Sequence, residues 1–230
     1  MNREVSVLVS MLRLAVEHNA LLRLPIVHKP KEAAPRSGFF EADQYEAVRR
    51  HLPLDLQTAV AIAHTFGWRT QSEVLTLNRA QVDLEAGVIR LDPGTTKNED
   101  GRVAYMTPDL HRQVAAQLER VRKLEREIGA IIPWLFPHLG KRLQGARQID
   151  FRDAWKTACK KTAVSGRLRH DLRRTAVKNM VDAGVSERVA MQITGHKTRA
   201  IFDRYHIVSP ADLKMLAQKL AVGTITGTIG

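Results

Sequence analysis

Two histidines, an arginine and a tyrosine are gathered in the last third of the chain: His170-Asp171-Leu172-Arg173, then Gly195-His196, then Tyr205 nine residues after that histidine. Brought together, these side chains suffice to attack a phosphodiester. A guanidinium holds phosphoryl oxygens, an imidazole relays a proton, and a phenol supplies the nucleophile. A phenol ionises only near pH ~10, so at neutral pH such a nucleophile needs a base beside it.

The elements that must position them can be read from the surrounding pattern. Leu168, Leu172, Ala176, Met180 and Ala183 recur at helical steps and Gly184 follows, which predicts a helix ending at that glycine. Residues three apart share a helix face, so His170 and Arg173 can point at one ligand. Ser186 is placed to cap a short helix through Arg188, Val189, Ala190, Met191 and Ile193, with Gly195 as its stop and His196 just beyond. Ile201, Phe202 and Tyr205 follow at helical spacing. Taken singly, each piece has an ordinary reading: a solvated basic face, a loop histidine, a half-buried core aromatic. It is their order and spacing that is unusual.

This set resembles the tyrosine recombinase, or phage integrase, family, whose C-terminal motifs run His-x-x-Arg, then Gly-His, then a tyrosine at the same interval. The family also carries an upstream arginine at the end of a Gly-x-Arg step, followed by a glutamate and a leucine-rich turn. Gly67-Trp68-Arg69 with Glu73, Val74, Leu75 and Leu77 fits, with Glu73 four residues after Arg69 where the common form has three. A lysine in a β-hairpin completes the pattern. Val88-Ile89-Arg90-Leu91 reads as one strand, Arg102-Val103-Ala104-Tyr105-Met106 as its partner, and Lys97 lies between them.

The resemblance covers residues 39–216 and implies the catalytic set Arg69, Lys97, His170, Arg173, His196 and Tyr205. Tyr205 would attack the scissile phosphate to give a 3′-phosphotyrosyl enzyme and a free 5′-hydroxyl. Arg69 and Arg173 would hold the non-bridging oxygens, Lys97 would protonate the leaving 5′-oxygen, and His170 would assist proton removal from Tyr205. His196 would hydrogen-bond the phosphate, and Glu73 would position Arg69. The implied function is a site-specific DNA recombinase or integrase that uses no metal, ATP or other cofactor. Its implied partners are double-stranded DNA and further copies of itself, assembled as a tetramer on that DNA. Two alternatives stay open: a non-catalytic DNA-binding remnant, and a type IB topoisomerase-like enzyme.

Composition agrees with a phosphate-binding protein. Lys and Arg number 36 against 24 Asp and Glu, a net charge of +12. No apolar run has the length of a membrane span and no signal segment is evident, so no membrane partner and a cytoplasmic location are expected. The single Cys159 excludes an internal disulfide and reads as a small buried apolar residue.

The fold class expected is α+β, mainly α. Helices are expected at 41–51, 54–65, 71–77, 108–128, 150–162, 167–183, 186–194, 199–205 and 210–221, with strands confined to the hairpin around Lys97. Arg120, Arg122, Lys123 and Arg126 alternate with Glu119, Glu125 and Glu127, which reads as a solvated face. The domain reading is a remnant helix of an N-terminal DNA-clamping domain at 1–24, a linker at 25–38, the catalytic domain at 39–216 and a tail at 217–230. In the resembled family a helix such as 210–221, with Leu213, Leu216, Ala217 and Leu220 on one side, docks on a neighbouring subunit.

Overall fold

The computed structural model describes residues 2–31, 38–94, 100–203 and 205. Lys97 and the expected helix 210–221 lie outside the described residues. The chain divides into two compact units, 1–36 and 37–230. In the first, helix α1 spans Asn2–Glu17 and buries none of its residues. Asn19 adopts φ 56°, a left-handed conformation that asparagine tolerates and that breaks helical propagation. The helical periodicity read as far as Leu24 therefore outruns the helix.

The second unit carries helices α2 (Ala42–Arg50), α3 (Leu54–Phe66), α4 (Pro108–Ile128), α5 (Arg152–Lys161), α6 (Asp171–Asp182), α7 (Glu187–Thr194) and α8 (Arg199–Phe202). Its three strands, β1 (Val82–Asp83), β2 (Val88–Leu91) and β3 (Arg102–Tyr105), form one antiparallel sheet in sequence order. The α+β, mainly helical expectation is thus met. α3 is apolar almost all round and forms the centre: Leu56, Ala59, Val60, Ile62, Ala63 and Phe66 are buried, with α4 and α6 packed against it. Thr107 caps α4 by accepting the Leu110 N–H at 3.3 Å, and Pro108 occupies the first turn, where its missing N–H costs nothing.

Four differences from the sequence reading have physical causes. Strands extend beyond the hairpin: β1 pairs with β2 through Val82↔Ile89 and Asp83↔Val88, and two residues are too few to show alternation. The segment expected as a helix at 71–77 is one π-helical turn, Thr70–Val74, in which Val74 N–H and Leu75 N–H reach back five residues to Arg69 and Thr70. α6 begins at Asp171 rather than near 167, leaving Leu168 exposed, because the Asp171 carboxylate accepts the Leu168 N–H at 2.8 Å and closes a turn ahead of the helix. Finally, Glu119, Arg122, Lys123, Arg126 and Glu127 of α4 are exposed as expected, but Arg120 and Glu125 are half-buried and engaged. Gln117 is fully buried and binds Arg120, which also donates to Thr58, while Glu125 accepts from Arg79 and the Ile132 N–H.

Candidate active site

α3 ends at Gly67, in the left-handed region at φ 68°, and a Cβ there would come within 2.9 Å of Thr194 Cγ2. Glycine lets the end of α3 meet the end of α7, and it exposes the Gly67 carbonyl to Arg173 Nη1 at 2.6 Å. Trp68 is buried and donates from its indole to the Ile193 carbonyl at 2.8 Å, tying the same two helix ends. The wide turn that follows brings the Glu73 carboxylate back over Arg69. One oxygen accepts the Arg69 backbone N–H at 2.7 Å; the other accepts Arg69 Nη1 at 2.7 Å and Arg102 Nη2 at 2.5 Å. Glu73 is fully buried, so this arginine pair supplies the charge compensation its burial demands.

Arg173 is 2% exposed and spends its donors unevenly. Nη1 goes to Gly67, Nε goes to His196 Nε2 at 3.1 Å, and Nη2 is buried with no partner among the described residues. A buried guanidinium nitrogen left unsatisfied is costly, and it marks where an anionic oxygen would be welcome. Burial, and then the nearby Arg69 cation, pull its pKa down to about 10. Arg173 lines a cavity of about 470 Å³ with Arg69, His170, Lys156, Arg167 and Arg169.

His196, the residue expected to hydrogen-bond a phosphate, is held here by Arg173 and Thr194. Its Nε2 accepts from Arg173, which fixes the proton on Nδ1, and Nδ1 lies 2.7 Å from Thr194 Oγ1, which itself donates to the Ala190 carbonyl at 2.7 Å. Both ring nitrogens are taken. Burial first, and the adjacent Arg173 second, lower its pKa to about 3, so the ring is neutral and suited to holding Arg173.

Tyr205 follows α8 in a turn, its N–H donating to Phe202 O at 2.8 Å, and packs against the cluster of Val177, Ala190 and Phe202, its ring centroid 4.6 Å from that of His196. Its hydroxyl lies 2.9 Å from His170 Nε2, and the Arg173 guanidinium sits 5.6 Å from its ring centroid. His170 is the N-cap of α6, one helical turn before Arg173. Burial, then Arg173, lower the His170 pKa from its ordinary 6.5, which favours the neutral ring.

Five of the six residues singled out from the sequence thus converge: Arg69, His170, Arg173, His196 and Tyr205. Lys97 lies outside the described residues. Two participants were missed. Thr194 looked like an ordinary helix-terminal residue. Arg102 looked like an ordinary strand residue, although an arginine heading a strand whose inward positions are Arg102 and Ala104, with Val103 and Tyr105 facing out, inverts the usual pattern.

A sequence profile of the phage integrase family matches residues 39–211. The chain belongs to this family. It is 24% identical to the integrase of Salmonella phage P22 over 221 residues, 92% of this chain and 54% of that protein. It therefore spans about half the length of that family member. Its fold is shared with the Tn1549 transposon integrase in a complex with circular intermediate DNA, at TM-score 0.72 and 16% identity over 95% of this chain and 78% of that one. XerA recombinase aligns at TM-score 0.66 and 19% identity, covering 92% and 73%. A lambda integrase dimer bound to a core site aligns at 0.62 and 16% identity, covering 86% and 71%. Among the described residues no helix is long and apolar enough to cross a membrane.

Proposed function

We propose that this integrase-family chain is a site-specific DNA recombinase that cuts and rejoins duplex DNA through a 3′-phosphotyrosyl intermediate. The observation that carries the reading is the 2.9 Å approach of Tyr205 Oη to His170 Nε2, beside an arginine with a buried unpartnered nitrogen. The DNA-bound relatives and the net charge of +12 support duplex DNA as the substrate.

A duplex phosphate enters the basic cavity and takes one oxygen to Arg173 Nη2 and another to Arg69. Both guanidiniums are already oriented, Arg69 by Glu73 and Arg173 by Gly67 and His196, so little reorganisation remains when charge grows on the phosphoryl oxygens. Neutral His170 accepts the phenolic proton as the Tyr205 oxygen bonds to phosphorus. The bond from phosphorus to the 5′-oxygen breaks, and Lys97 supplies the proton that leaves with it. Attack by a 5′-hydroxyl of another strand runs the same steps backwards. The covalent link conserves the bond energy, so no ATP is needed. His196 acts through Arg173 and not as a phosphate ligand. The protein works as a tetramer on its DNA site.

Incubation with a nicked duplex, from which the short cleaved strand diffuses away, tests this reading. A protein–DNA adduct that survives denaturing electrophoresis is the expected product. Saturating binding with no adduct would instead favour DNA binding without chemistry.

A further inference from the structure

We propose that Arg102 is a positioning residue that holds the two phosphate-binding arginines in register with each other. The inference rests on the recombinase reading above and deepens it. Among the described residues Arg102 contacts none of the proposed reacting groups directly. Its guanidinium donates through Nη2 to Glu73 Oε1 at 2.5 Å and through Nη1 to the Thr194 carbonyl at 3.0 Å, and it lies 5.7 Å from the Trp68 ring centroid.

Each of those contacts leads to one side of the site. Glu73 holds Arg69 by side chain and backbone. Thr194 receives the His196 ring, whose other nitrogen receives Arg173. A buried chain therefore runs from Arg69 through Glu73, Arg102, Thr194 and His196 to Arg173, with Arg102 at its middle. Arg102 also opens β3, pairs with Leu91 of β2, and stands five residues after Lys97 in sequence.

Gly195 is shaped to this arrangement. It sits at φ 73°, and a Cβ on it would approach Arg102 Nη1 to 2.7 Å and Cζ to 2.8 Å. The glycine of the Gly-His pair thus makes room for the Arg102 guanidinium, so the loop that delivers His196 and the strand that follows Lys97 are fitted to one side chain.

Arg102→Lys separates this role from simple stability, because an ammonium can still pair with Glu73 but is one point charge and cannot also serve Thr194. The test compares single-turnover cleavage of a nicked duplex carrying either the natural 5′-oxygen or sulfur at the scissile bridge. Sulfur departs unprotonated, so Lys97→Ala should be restored on it. Arg102→Lys is expected to keep a cooperative thermal transition lowered by only a few degrees, to keep its DNA affinity, and to lose about tenfold to a hundredfold in maximal rate on both substrates, as misplaced transition-state contacts would produce. A wild-type rate overturns the proposal. So does a loss repaired by sulfur, which would confine Arg102 to supporting Lys97. If Arg102→Lys fails to fold, Arg102→Gln, which leaves the Glu73–Arg69 contacts in place, enters the same comparison, and the same two outcomes decide. Absence of an adduct from the unmodified protein would instead remove the recombinase reading itself.

Discussion

The site's chemistry is set by which proton positions the fold leaves available. In this structure His196 turns Nδ1 to Thr194 Oγ1 and Nε2 to Arg173 Nε. His170 keeps Nε2 at the Tyr205 hydroxyl, and its pKa lies below 6.5 because burial and Arg173 disfavour the cation. With His170 as the proposed base, its neutral form does the work, so cleavage should rise as pH climbs through that depressed value and level off above it. Single-turnover rates between pH 5 and 8 check this, and His170→Gln should flatten the rise. Glu73 gives a second residue-scale expectation. Its side chain is fully buried and Arg102's is 6% exposed, so Glu73→Ala would strand a buried cation. The expected loss is about 3 to 5 kcal/mol, read from urea midpoints. Glu73→Gln keeps an acceptor and should cost less.

At the scale of elements, the site is built where α3, α6, α7 and β3 end or begin, and helix-terminal glycines let those ends approach. Gly195→Ala should combine the cost of a left-handed non-glycine residue, roughly 1 to 2 kcal/mol, with displacement of Arg102. Gly184 supplies the control: its φ is 76° but a Cβ would meet nothing within 4 Å. Gly184→Ala should therefore lose comparable backbone energy yet cleave DNA normally, whereas Gly195→Ala loses stability and cleavage together. The contrast also marks what was legible in the sequence. α4 and β2 could be bounded to the residue, because Thr107-Pro108 and a β-branched run are local signals. The proximity of His170 to Tyr205 followed from motif order. The inward turn of Arg102 did not, since it depends on the register Leu91↔Arg102, which pairing sets. The π turn at Thr70–Val74 was equally hidden: one widened turn leaves a pattern that reads as helix.

At the scale of the molecule, a net charge of +12 on 230 residues should make phosphate contact and counterion release the main source of affinity for the proposed DNA substrate. Duplex binding should weaken by orders of magnitude between roughly 50 and 200 mM salt, and fluorescence anisotropy titrations would show a steep linear dependence on log salt. A flat dependence would mean the basic surface is not the binding surface. Affinity, however, does not distinguish an enzyme from a DNA-binding relic; covalent chemistry does. The most direct measurement is peptide mapping of the adduct trapped on a nicked duplex, run beside Tyr205→Phe. The phenylalanine variant lacks only the hydroxyl that lies 2.9 Å from His170, so it should bind DNA as the unmodified protein does and form no adduct. The account predicts a nucleotide-bearing peptide containing Tyr205. An adduct mapped to another residue, or one that persists in Tyr205→Phe, would contradict it.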